Sequence, residues 1–166
     1  MVMKHCLKKS CSGLLKAVLL SGLGVVSVAE LSMAEVKVGD TFAGGKVVYI
    51  LQPGDQGYKP DEQHGLIAAN EDVAVEPANW SVTKSMTESR EIGGTKGWRV
   101  PTREELNKVY QNKAALGNLK DYSYYWSATE SGQKVWAQDF FNGQQVLSPK
   151  AGASSGIRRA RPIKDF

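Results

Sequence analysis

Four cations crowd the end of the chain: Arg158, Arg159, Arg161 and Lys164. A guanidinium presents parallel N–H donors that match a carboxylate or a sulfate, so a cluster of this kind suits acidic glycans. On one strand, Arg159 and Arg161 share a face and Arg158 points to the other, which splits the group. Arg158 is accordingly read as structural, paired with a buried carboxylate such as Glu105 or Asp139. Arg159, Arg161 and Lys164 are candidate ligand-binding residues, with ion pairing as the competing reading. Among the large aromatics, Trp98, Trp126 and Trp136 are flanked by apolar strand residues and are expected in the core. Trp80 lies in a polar middle segment and is the candidate for an exposed ring that stacks on a sugar face.

Two motifs suggest catalysis and fail on context. Gly152-Ala153-Ser154-Ser155-Gly156 has the spacing of a nucleophile elbow, but no histidine follows Ser154 to act as its base. Ser81-Val82-Thr83-Lys84 matches S-x-x-K without either of its partner motifs. The loop from Asp55 to Glu62 carries three carboxylates, which raises calcium, yet it lacks EF-hand spacing and reads as a solvated charged loop. His64 is the sole histidine beyond the first 34 residues, too few for a histidine-rich metal site. The expectation is no catalytic residue, no metal and no cofactor: a protein that is not an enzyme.

Residues 1–34 read as a secretory signal peptide. Lys4, Lys8, Lys9 and Lys16 precede an apolar run from Ala17 to Ala29, and Ser32-Met33-Ala34 offers small residues for cleavage, with Ser27-Val28-Ala29 as a second choice. The run is shorter than the roughly 20 residues of a membrane span. An exported protein is expected, whether secreted, on the cell surface or in the periplasm. Without this segment, 21 basic residues become 17 and 17 acidic residues become 16, so the net charge falls from +4 to +1. The basicity belongs mostly to the leader, and no nucleic-acid partner is expected. Both cysteines, Cys6 and Cys11, leave with it, so disulfides, thiolate metal sites and cysteine nucleophiles go too. The remainder, 35–166, is enough for one domain with a packed core and has no second long apolar run.

The surest local element is Gly97-Trp98-Arg99-Val100-Pro101-Thr102-Arg103-Glu104-Glu105-Leu106, a strand end turning into a capped helix. Thr102 and Glu105 form a capping box, Pro101 stops backward extension, and Leu106, Val109 and Tyr110 make one apolar stripe. The helix is expected over about 103–113. Strands are expected at 46–51, 65–69, 122–129, 134–141 and 144–147, with Asn142-Gly143 as a type I′ hairpin turn. The last strand is placed at 157–163, with Pro162 marking an edge. Residues 71–97 are mixed, with a short helix near Trp80. The fold class is α+β.

Taken in order, six blocks resemble the Lcl C-terminal domain family, named for the end domain of a bacterial collagen-like adhesin. They are Val38-Gly39-Asp40 with Gly44-Gly45 and Val47-Val48-Tyr49; His64-Gly65-Leu66-Ile67-Ala68-Ala69; Trp98-Arg99-Val100-Pro101-Thr102 with Glu105-Leu106; Tyr125-Trp126-Ser127-Ala128-Thr129-Glu130; Trp136 with Phe140 and Gly143; and Ile157-Arg158-Arg159-Ala160-Arg161. The resemblance implies a C-type-lectin-like fold, related to formylglycine-generating enzymes: a twisted antiparallel sheet with helices and long loops. It implies a non-enzymatic, adhesin-like binding domain for sulfated or other acidic polysaccharides. A protein–protein interaction module of the envelope is the alternative. In the adhesin the domain is trimeric below a collagen stalk; this chain has no Gly-X-Y repeat, so a homo-oligomer stays open.

Overall fold

The computed structural model describes residues 35–75, 79–151 and 158–166. The expected leader and the Gly152–Gly156 motif therefore lie outside the described residues. The described residues belong to one unit, Ala34–Phe166, with two sheets. The first sheet holds β1 (Thr41–Phe42), β2 (Gly45–Ile50), β3 (Gly65–Ala68) and β9 (Ile163–Asp165), in the order β1-β2-β3-β9 and antiparallel throughout. The second holds β4 (Val73–Val75), β5 (Tyr124–Ser131), β6 (Lys134–Asp139), β7 (Gln145–Pro149) and β8 (Arg158–Ala160), in the order β4-β8-β5-β6-β7. Only the β5–β8 pair is parallel. Among the described residues three helices complete the α+β architecture: α1 (Trp80–Glu88), α2 (Arg103–Gln111) and α3 (Lys113–Leu116).

Burial follows strand alternation. Val48, Leu66, Ala68, Tyr125, Phe140 and Ile163 meet Leu106 and Val109 of α2, so the central core is shared by the two sheets and this helix. On the far face of the five-stranded sheet, Trp126, Val135 and Ala137 pack with Trp80 at the start of α1. On the far face of the four-stranded sheet, Val47, Ile67 and Ala69 pack with Trp98. Tyr125 and Trp126, adjacent on β5, thus serve opposite layers.

The helix α2 begins as its capping box requires. The Glu105 N–H donates to the Thr102 hydroxyl at 3.2 Å and the Thr102 N–H donates to the Glu105 carboxylate at 2.8 Å. Pro101 is buried, and its carbonyl accepts the Ala128 N–H from β5 at 2.6 Å, seating the helix start on the sheet. The helix ends at Gln111 rather than near 113; Asn112 breaks it before α3.

Several expectations need correction. The terminal strand at 157–163 is two strands in two different sheets, and Arg161-Pro162 is the crossing between them. Pro162 stands at that crossing and leads into β9, the strand at the end of the four-stranded sheet's order, and its carbonyl accepts the Ala69 N–H at 2.8 Å. The Asn142-Gly143 turn is not type I′, because only Gly143 has positive φ, at 80°. A wider loop forms instead. Asp139 N–H donates to Gln144 O, and the Asn142 side chain accepts the Gln144 N–H, a local bond that competes with the tight turn. β7 runs to Pro149, two residues beyond the strand expected at 144–147. β4 and the full extent of α1 have no clear signal in the polar composition of 71–97.

Candidate functional site

The terminal arginines do not form a patch. Arg161 is only 1% exposed. Its Nε donates to Asp72 Oδ1 at 2.7 Å, and its other nitrogens donate to Ala69 O at 2.6 Å and Asn118 O at 2.8 Å. One side chain therefore ties together the β3–β4 link, the loop before β5 and the β8–β9 crossing. Asp72 also takes the Tyr125 hydroxyl at 2.7 Å and lies 3.9 Å from Arg159. Burial, reinforced by the Asp72 charge, pushes the Tyr125 hydroxyl above its ordinary range. Arg159 and Arg161 do converge on one side, as alternation suggests, but the side is internal and organised by Asp72, a residue with no conspicuous motif around it. Lys164 is half-buried on β9.

Arg158 lies on the opposite face, also buried, and meets neither Glu105 nor Asp139. Its guanidinium covers the rings of Tyr124 at 4.8 Å and Trp126 at 4.9 Å. Glu105 instead makes a two-pronged pair with Arg99, at 2.7 and 2.8 Å, while Arg99 also reaches Asp165 at 3.0 Å. Burial opposes the Glu105 charge, but Arg99 and the Thr102 N–H outweigh it and hold its carboxyl below the ordinary range. The cap of α2 and the β9 strand are joined through this one pair.

The aromatic expectations divide. Trp98 and Trp126 are buried as read. Trp136 is only half-buried, covered by the Arg103 guanidinium 3.8 Å above its ring. Trp80 is not exposed: it is 6% accessible, and its indole N–H donates to Ser127 O at 2.9 Å. The polar residues around it belong to the outer face of α1, with Asn79 capping that helix.

The exposed rings are elsewhere. Tyr122 and Phe141 are 85% and 59% exposed, and they stack with centroids 5.0 Å apart and planes 23° apart. Tyr122 precedes β5 and Phe141 follows β6, so the β5–β6 pairing, continued by Phe140 N–H to Ser123 O at 3.1 Å, brings them together. Lys113 of α3 clips the two loops: its ammonium donates to Asp121 at 2.8 Å and to Phe140 O at 2.7 Å. Lys120, also exposed, lies two residues before Tyr122. Placing Tyr122 inside a strand hid this pair in the sequence.

A cleft of about 520 Å³ opens beside α2, lined by Tyr49, Asp55, His64, Glu104, Lys108 and Phe166 among others. Its polar groups mostly satisfy one another. Asp55 accepts the Gln52 N–H and the Tyr49 hydroxyl, both at 2.7 Å, which hold its carboxyl below the ordinary range. Glu62, from the loop read as solvated, meets Lys59 and His64. Ser81 and Lys84 lie on the α1 surface, with Lys84 paired to Glu88. Among the described residues, no group of three His, Cys, Asp or Glu side chains is placed to hold a metal, and no helix is long and apolar enough to cross a membrane.

No curated protein matches this sequence. The family comparison does: residues 59–161, from the carboxylate loop through the arginine that crosses between the sheets, match the Lcl C-terminal domain, and with more than half of its length so matched the chain belongs to that family.

Proposed function

We propose that this chain is an exported, non-enzymatic binding domain that recognises glycans, on a fold related to C-type lectins. The observation that carries the reading is the stacked pair Tyr122–Phe141, two large aromatics held in water by a built support. Exposed rings cost nothing to desolvate against a sugar's apolar face, and the Lys113 clip reduces the ordering that binding requires. Sulfated or other acidic polysaccharides are the proposed class on the family resemblance. Lys120, rather than Arg159 or Arg161, is the cation near the platform that would meet them.

The experiment is a glycan array with the wild type, Tyr122→Ala and Phe141→Ala at two salt concentrations. Each variant should lose about tenfold or more in affinity, because buried aromatic anchors dominate binding. Each should melt within a few degrees of wild type, since both rings are exposed. Acidic-glycan binding should also weaken as salt rises. Unchanged array profiles in both variants would refute the platform. A protein–protein module is the second reading, favoured by Leu147, exposed on β7 at the end of the five-stranded sheet. It predicts a Leu147→Lys variant that loses a partner while glycan binding is untouched.

A further inference from the structure

Two buried side chains on the α1 side of the five-stranded sheet have N–H groups with no acceptor among the described residues. Arg158 is 8% exposed and Trp126 is fully buried, yet Arg158 Nε and Nη1 and the Trp126 indole N–H are all unpaired. The contrast with neighbouring groups is sharp. The Trp80 and Trp98 indoles each reach a carbonyl, at 2.9 and 3.0 Å, and Arg161 fills its donors with a carboxylate and two carbonyls. A buried cation without a counter-charge is costly, and buried polar groups in folded proteins nearly always have partners. The rings of Tyr124 and Trp126 offer the guanidinium their π faces, but they supply no acceptor for its in-plane N–H donors.

We propose that Arg158 and the Trp126 indole N–H form a receptor for one small oxyanion group, a carboxylate or a sulfate. The donors are of the right kind: a guanidinium pairs with two oxygens of such a group through parallel bonds, and the indole N–H of the ring under it is a further, neutral donor. Binding supplies the charge and the acceptors that the described residues do not. Burial alone pulls the Arg158 guanidinium below its ordinary value, and an anion reverses that effect. The anion comes either free from solution or as the acidic group of a larger saccharide; the chemistry recognised is the same. The assignment stands apart from the Tyr122–Phe141 platform and does not require it.

The test is an NMR titration of the isotope-labelled protein, following the Trp126 indole N–H (identified by its loss in Trp126→Phe) and the Arg158 Nε–H. Inorganic sulfate and acetate are the free-ion probes, and a sulfated disaccharide is the saccharide probe. Both resonances should move together and saturate in the wild type, and Arg158→Gln should weaken the response of the Trp126 indole N–H about tenfold or more, with Arg158→Lys between. Saturation by the ions alone identifies a free-anion site, whereas tighter saturation by the disaccharide identifies a pendant acidic group. If Arg158→Gln does not fold, the wild-type titration still decides. The proposal is overturned if neither resonance saturates with any probe. It is equally overturned if Glu76→Gln, with no anion present, shifts both the Arg158 Nε–H and the Trp126 indole N–H, because the acceptor is then the chain's own carboxylate.

Discussion

Replacing Asp72 by asparagine removes a single charge from the point where Arg161, Arg159 and Tyr125 meet. The Asp72 side chain is 6% exposed and that of Arg161 is 1%, so water cannot take over the lost role. Opposite charges about 4 Å apart interact by about 4 kcal/mol at the effective dielectric of a protein site. Breaking a buried pair by neutralising one partner costs about 3–5 kcal/mol. Arg159, 3.9 Å away and more exposed, adds less. Asparagine keeps one acceptor oxygen, but its amide must face either a guanidinium or the Tyr125 hydroxyl, which already accepts the Lys120 N–H at 2.9 Å. The expectation is therefore the full range, about 3–5 kcal/mol, or roughly 10–20 °C in Tm for a domain of this size. Urea unfolding followed by tryptophan fluorescence and circular dichroism measures it. Adding Arg161→Met to Asp72→Asn should recover part of the loss, because the stranded cation is gone. A loss below about 1 kcal/mol in Asp72→Asn, or strict additivity in the double variant, would refute the hub.

Thr102→Ala should cost about 1 kcal/mol by deleting the α2 cap, read from the urea midpoint at unchanged slope. The same cap predicts an acid limb. Because the folded-state pKa of Glu105 lies below its ordinary 4.5, the stabilisation is complete above 4.5 and fades as pH falls through the folded value. Glu105→Gln should flatten that part of the pH–stability curve, and an unchanged acid limb would count against the Arg99 pair. Gly143→Ala should destabilise by about 1–3 kcal/mol, since Gly143 has φ of +80° and a Cβ there would stand 2.6 Å from the Tyr110 ring. Thermal melts of this variant and of a Gly132→Ala control, which has open space around it, separate the contact from the backbone strain.

The parts legible in the sequence are those with a local cause. Thr102, Glu105 and Pro101 determine the start of α2 within a few residues, and alternation puts Tyr125 and Trp126 on opposite layers. The family blocks supplied the rest of the order. What failed depended on distant partners. Arg159 and Arg161 look like surface charge until Asp72, from a polar stretch far away in sequence, is brought beneath them. Trp80 looks exposed by its neighbours, but a helix with one buried edge can carry a polar outer face. The stacked Tyr122 and Phe141 lie just outside the strand ends, where period-two reasoning no longer says which way a side chain points.

The crossing at Arg161-Pro162 has a kinetic consequence. Leu66 pairs with Asp165, about a hundred residues later, and Tyr124 pairs with Arg158, so each sheet needs strands from the last stretch of the chain. β8 lies between β4 and β5, so without it the five-stranded sheet splits and β4 has no neighbour. A chain emerging from the ribosome can form α2 and the β5–β6–β7 meander early, but it cannot assemble either full sheet until the arginine segment arrives. Loop closure over such distances is slow. The ordering of events is thus written into the topology: local hairpins first, and one late step that docks β8 and β9 together and completes both layers at once.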